Sequence, residues 1–94
     1  MSPMAADILV VDDEEDIRML IADILTDEGF VCRTAGDSDA VFQAIEQRRP
    51  NLLILDIWLE GSALDGIEIL ERVHKEHAAM PVIMISGHGN VETA

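Results

Sequence analysis

The chain has 94 residues, 49% of them apolar, with 19 acidic and 6 basic side chains and a formal charge of −13. That length allows one domain with a modest core, and a single cysteine, Cys32, excludes an internal disulfide framework. One lysine, Lys75, among so many acids argues against direct nucleic-acid binding, and no apolar run approaches the ~18 residues of a membrane span.

No charged-then-apolar leader opens the chain, so a cytoplasmic, reducing setting is expected. Residues 1–6 read as a disordered or vector-derived start, and 7–94 as the domain. Ile8-Leu9-Val10-Val11 is a short continuous apolar run, the mark of a strand buried on both faces. Asp12 or Asp13 can cap the helix that follows, with Ile17, Leu20, Ile21 and Ile24 spaced to share its inner face and Gly29 as its stop. Residues 30–35 form a second strand. Asp37 or Ser38 caps a second helix, with Ala40, Val41, Ala44 and Ile45 inward and Pro50 forbidding its continuation. Leu52-Leu53-Ile54-Leu55 is a third buried strand. A loop over 58–63 follows, then Asp65-Gly66 opens a third helix with Ile67, Leu70 and Val73 inward. Val82-Ile83-Met84-Ile85 is a fourth strand, Ser86-Gly87-His88-Gly89 a turn, and Asn90 the cap of a fourth helix. Strands alternating with helices predict an α/β fold of parallel βαβ units.

In an open parallel sheet, ligands bind beyond the carboxyl ends of the strands. Asp12 and Asp13 follow the first strand, Asp56 the third, and Ser86 and Gly87 the fourth. Capping explains either acid of the pair alone. It does not explain Asp56, which ends an apolar strand with no helix directly after it. Three converging carboxylates raise one another's pKa values, and a divalent cation removes the conflict. Oxygen-only ligands suit Mg²⁺ or Ca²⁺, and a small site with few protein ligands favours hydrated Mg²⁺. A carboxylate beside Mg²⁺ is also a candidate nucleophile toward phosphorus. Ser86 can donate a hydrogen bond to a phosphoryl oxygen, and Gly87 lets the backbone approach closely.

The segments Ile8-Leu9-Val10-Val11-Asp12-Asp13-Glu14, Leu55-Asp56, Leu64-Asp65-Gly66 and Ile85-Ser86-Gly87 resemble the receiver domain of two-component response regulators. The stretches 55–62 and 84–94 are closer to the NtrX kind within the NtrC-like regulators. The resemblance implies a doubly wound, flavodoxin-like fold with sheet order 2-1-3-4, a Mg²⁺ cofactor and a sensor histidine kinase as partner. It implies phosphorylation of Asp56, with Asp13 a direct metal ligand, Asp12 acting more through water, the backbone carbonyl of Trp58 a further ligand, and Ser86 the switch hydroxyl. It implies a switch for a transcriptional output rather than an enzyme. The loop after Asp56 looks about two residues longer than the family's usual one. The family's fifth strand, with its lysine, and fifth helix have no counterpart in these residues, so a C-terminally truncated receiver is expected. The fourth strand would then form an exposed edge, which invites self-association.

Two other functions compete. One is a non-switching interaction module that binds Mg²⁺ or a kinase without completing phosphorylation. The other is a phosphatase using Asp56, disfavoured because Trp58 stands where a general acid would be needed. Cys32 reads as core, and His74 and His77 with Glu71 and Glu76 as a solvated helix face. Trp58 either shields the site or packs the loop.

Overall fold

The computed structural model describes residues 6–85. Four strands, β1 (Asp7–Val11), β2 (Val31–Ala35), β3 (Leu52–Asp56) and β4 (Val82–Ile85), alternate with three helices, α1 (Glu15–Asp27), α2 (Ser38–Gln47) and α3 (Gly66–Glu76). All strand pairs are parallel, in the order β2-β1-β3-β4. This is the doubly wound, flavodoxin-like sheet expected from the sequence. The turn at 86–89, the helix from Asn90 and residues 1–5 of the N-terminal stretch lie outside the described residues.

Alternation along the strands divides the core. Leu9, Val11, Leu53 and Leu55 point to one face, where they meet Val41 and Ile45 of α2 and Ile69 and Val73 of α3. Ile8 and Val10 point to the other face, toward α1, and are also buried. The central strands are therefore apolar on both sides, which accounts for their unbroken apolar runs.

Two expected helix faces differ from those observed. On α1, Leu20 and Ile24 are more than half exposed, at 57% and 55%. The apolar stripe is wider than the sheet surface that α1 meets, and α2 and α3 both pack on the opposite face. On α3, Ile69 rather than Ile67 is buried, and Ile67 is 47% exposed. The phase is set at Gly66, which is wedged against the backbone of Asp56 and Ile57. Gly66, Ile69, Leu70 and Val73 then fall at i, i+3, i+4 and i+7 on the inner face.

The helix starts also separate. Asp37 caps α2 by accepting the Ala40 N–H at 2.9 Å. Asp65 and Glu68 form a reciprocal capping box at α3. The N-cap of α1 is Glu14, which makes no side-chain cap bond. Neither Asp12 nor Asp13 holds that position, so both acids remain available for another role. Gly29 closes α1 at φ 95°, a left-handed conformation suited to glycine.

At the opposite end of the sheet, Asp7 is 2% exposed. Its Oδ1 accepts from Arg33 Nε at 3.1 Å, and Arg48 Nε lies 3.1 Å from Oδ2. Arg33 also donates to the carbonyls of Ala44 and Arg48, tying the end of α2 to β1 and β2.

Candidate functional site

The parallel register places the carboxyl ends of β1 and β3 side by side, with Val11 opposite Leu55. The next residues, Asp12 and Asp56, therefore share one rim, and Asp13 extends from the β1–α1 turn. Asp12 and Asp56 are each 1% exposed, and Asp13 is partly buried. Each of the three offers a carboxylate oxygen within 4.8 Å of the other two. This is the convergence expected from the strand ends. Among the described residues no other group of acids, histidines or cysteines has metal-binding geometry; His74, Glu71 and Glu76 stay on an exposed helix face, whereas His77, expected there too, is half-buried with its Nδ1 enclosed.

Each acid is oriented by a different backbone group. The Asp12 N–H donates to the Ala35 carbonyl at 3.2 Å, and its Oδ1 accepts the Glu14 N–H at 2.9 Å. Asp56 Oδ1 accepts the Trp58 N–H at 3.1 Å. Asp13 Oδ2 accepts the Glu60 N–H at 3.3 Å, which joins the β3–α3 loop to the acid pair. That loop is fastened elsewhere as well. Ser62 Oγ accepts the Ser38 N–H at 2.8 Å, and Ser38 Oγ accepts the Leu64 N–H at 3.3 Å.

Burial raises the Asp12 carboxyl above its ordinary value, and the neighbouring charge of Asp13 adds to the rise. The Glu14 N–H and the Arg18 guanidinium act in the opposite direction. The second oxygen of Asp12 is buried without a hydrogen-bond partner. An orphaned buried oxygen within reach of two further carboxylates fits a small, hard divalent cation. The donor set is oxygen only, as a hard divalent cation requires.

Trp58 is 57% exposed, so its ring is not loop packing, and Leu59 fills that role instead. Ser86 and Gly87 lie outside the described residues. Sequence reasoning missed Arg18, whose Nη1 donates to the Asp12 carbonyl at 2.9 Å. Its position on the inner side of the first turn of α1 was the available signal.

An acid triad at the carboxyl rim of a four-stranded parallel sheet flanked by helices defines a receiver-like class of fold and site. The family model of the response regulator receiver domain matches residues 8–94, and the chain belongs to that family. It is 60% identical over 91 residues to the nitrogen assimilation regulatory protein NtrX of Azorhizobium caulinodans, a match covering 97% of this chain and 20% of that protein. It is 31% identical over 85 residues to the DNA-binding transcriptional regulator NtrC of Klebsiella pneumoniae, covering 90% of this chain and 18% of that protein. Among solved structures, the receiver domain of NtrX from Brucella abortus superposes with a TM-score of 0.85 at 60% identity, covering 89% of this chain and 70% of that one. The chain thus spans about a fifth of the length of the curated relatives it matches. The NtrX kind and, more distantly, NtrC are its relatives, as the segments around Asp56 and Ser86 implied.

Proposed function

We propose that this chain receives a phosphoryl group on Asp56 from a sensor histidine kinase, in a Mg²⁺-dependent step that switches a transcriptional output. The observation that carries this reading is the convergence of Asp12, Asp13 and Asp56 at the rim, with an unpartnered buried oxygen among them. A carboxylate oxygen of Asp56 forms the new O–P bond as the N–P bond to the kinase histidine breaks, and the departing imidazole nitrogen takes a proton. Bound Mg²⁺ would offset the charge on the entering phosphoryl oxygens. Asp13 would ligate it directly, Asp12 more through water, and Asp56 and the Trp58 carbonyl would complete the protein ligands. Ser86 and Gly87 are assigned the far side of the phosphoryl group by resemblance alone.

The cell compartment in this reading is the cytoplasm. Among the described residues no helix is long and apolar enough to cross a membrane. The charge of −13 opposes contacts with nucleic-acid phosphates, so in this reading the output acts through other parts of a longer regulator.

The test is incubation with a small acyl phosphate donor and Mg²⁺, followed by intact-mass measurement. The expected result is one added phosphoryl group, lost in Asp56→Asn and when Mg²⁺ is chelated. Saturable Mg²⁺ binding with no phosphoryl uptake would replace this reading by the interaction module.

A further inference from the structure

We propose that Arg18 is a positioning residue, holding the Asp12–Asp13 turn in the shape that accepts a divalent cation; this rests on the metal reading above. The Asp12 main chain is gripped on both sides. Its N–H is held by the Ala35 carbonyl at the end of β2, and its carbonyl by Arg18 Nη1. The guanidinium is itself seated. It lies against Gly36, where an added Cβ would stand 2.9 Å from Nη1, so the glycine leaves the space that the arginine fills. The Arg18 side chain is 18% exposed, and its remaining ionic contact is a loose 3.9 Å approach to Glu15, which is 79% exposed. A surface ion pair of that kind contributes little. The directed contact of this side chain is therefore the one to Asp12.

Charge alone would not put an arginine here. A cation next to a cation site opposes binding of the ion. Mg²⁺ also demands near-ideal octahedral placement of its ligands, so fixing the turn that carries Asp13 as a direct ligand and Asp12 acting through water favours binding. These two effects of Arg18 have opposite signs, and its removal separates them. If charge governs, Arg18→Ala binds Mg²⁺ more tightly. If position governs, it binds more weakly.

The experiment is a Mg²⁺ titration followed by Trp58 fluorescence in the unsubstituted chain, Arg18→Ala, Arg18→Lys and Gly36→Ala, with thermal melts without Mg²⁺ alongside. Trp58 is the single tryptophan and neighbours Asp56. Arg18→Ala is expected to bind roughly tenfold more weakly, the scale of losing a group that orients metal ligands. Arg18→Lys, which keeps the charge but offers a single donor nitrogen without the planar fork, should fall between. Gly36→Ala keeps the charge but displaces the guanidinium, and should also weaken binding; it carries the test if Arg18→Ala fails to fold. Equal or tighter binding in the variants overturns the inference, as does lost thermal stability at unchanged Mg²⁺ affinity. No saturable response in the unsubstituted chain overturns the metal reading itself, and this inference with it.

Discussion

Asp12 is a residue whose placement opposes stability in the absence of a metal. Its raised pKa means that the folded chain holds this proton more tightly than the unfolded chain does. Its contribution to stability is therefore greatest below the ordinary carboxylate value and declines as pH rises through the raised folded value. Asp12→Asn keeps an oxygen for the Glu14 N–H and removes the charge. Without Mg²⁺ at neutral pH it should stabilise the fold by about 1 kcal/mol, raising Tm by roughly 4–8 °C. Melting curves across pH check this, because the gain should close as the medium becomes acidic. Gly66 is a second sensitive position. A Cβ there would overlap the Asp56 carbonyl oxygen and stand 2.7 Å from Ile57 Cα, both of them backbone. Gly66→Ala should cost about 2 kcal/mol or more, since backbone cannot give way as a side-chain tip can. Its thermal melt, together with a changed Trp58 emission, reports both the strain and its reach to Asp56.

Among the elements, the contrast between Arg33 and Arg48 separates a structural ion pair from a surface one. Both reach Asp7, but Arg33 is mostly buried and holds two α2-end carbonyls as well, whereas Arg48 is 65% exposed. Arg33→Ala leaves a buried carboxylate poorly compensated and should cost roughly 3–5 kcal/mol. Arg48→Ala should cost at most about 1 kcal/mol. Urea unfolding of the two variants gives the comparison; equal losses would refute the assignment. The capping box of α3 is the other discrete contribution. Asp65→Ala should lose about 1 kcal/mol by the same measurement. Because α3 begins ten residues after Asp56 and is fixed there by Gly66, its phase and the shape of the β3–α3 loop are set together.

At the scale of the whole molecule, the α1 side of the sheet is the open surface among the described residues. Leu20 and Ile24 on α1 and Ile83 on β4, at 49% exposed, lie uncovered among the described residues. The strand β4 pairs with β3 along one edge. A strand edge with an apolar side chain beside it is a template for pairing. The 94-residue chain is therefore expected to associate with itself as concentration rises, and Ile83→Lys to reduce that association, as read by sedimentation velocity. A strictly monomeric unsubstituted chain at high concentration would count against the edge as an assembly surface.

Much of this was legible in the residues alone. The apolar runs at 8–11 and 52–55 specify strands in the middle of a parallel sheet, because two-sided burial removes alternation; the run at 82–85 also marks a strand, yet Ile83 of β4 is 49% exposed. The acids at 12, 13 and 56 stand directly after those runs, so their meeting at one rim follows from parallel topology. What the sequence could not decide was rotational phase and long-range pairing. Which of Ile67 and Ile69 faces inward depends on where Gly66 meets the backbone of β3, a contact between segments that periodicity does not encode. Asp7 with Arg33, and Arg18 with the Asp12 carbonyl, were equally invisible, since a long flexible cation can reach many partners and only packing selects one. The sequence determined the chemistry of the rim; the tertiary structure decided how rigidly, and by which neighbours, that chemistry is held.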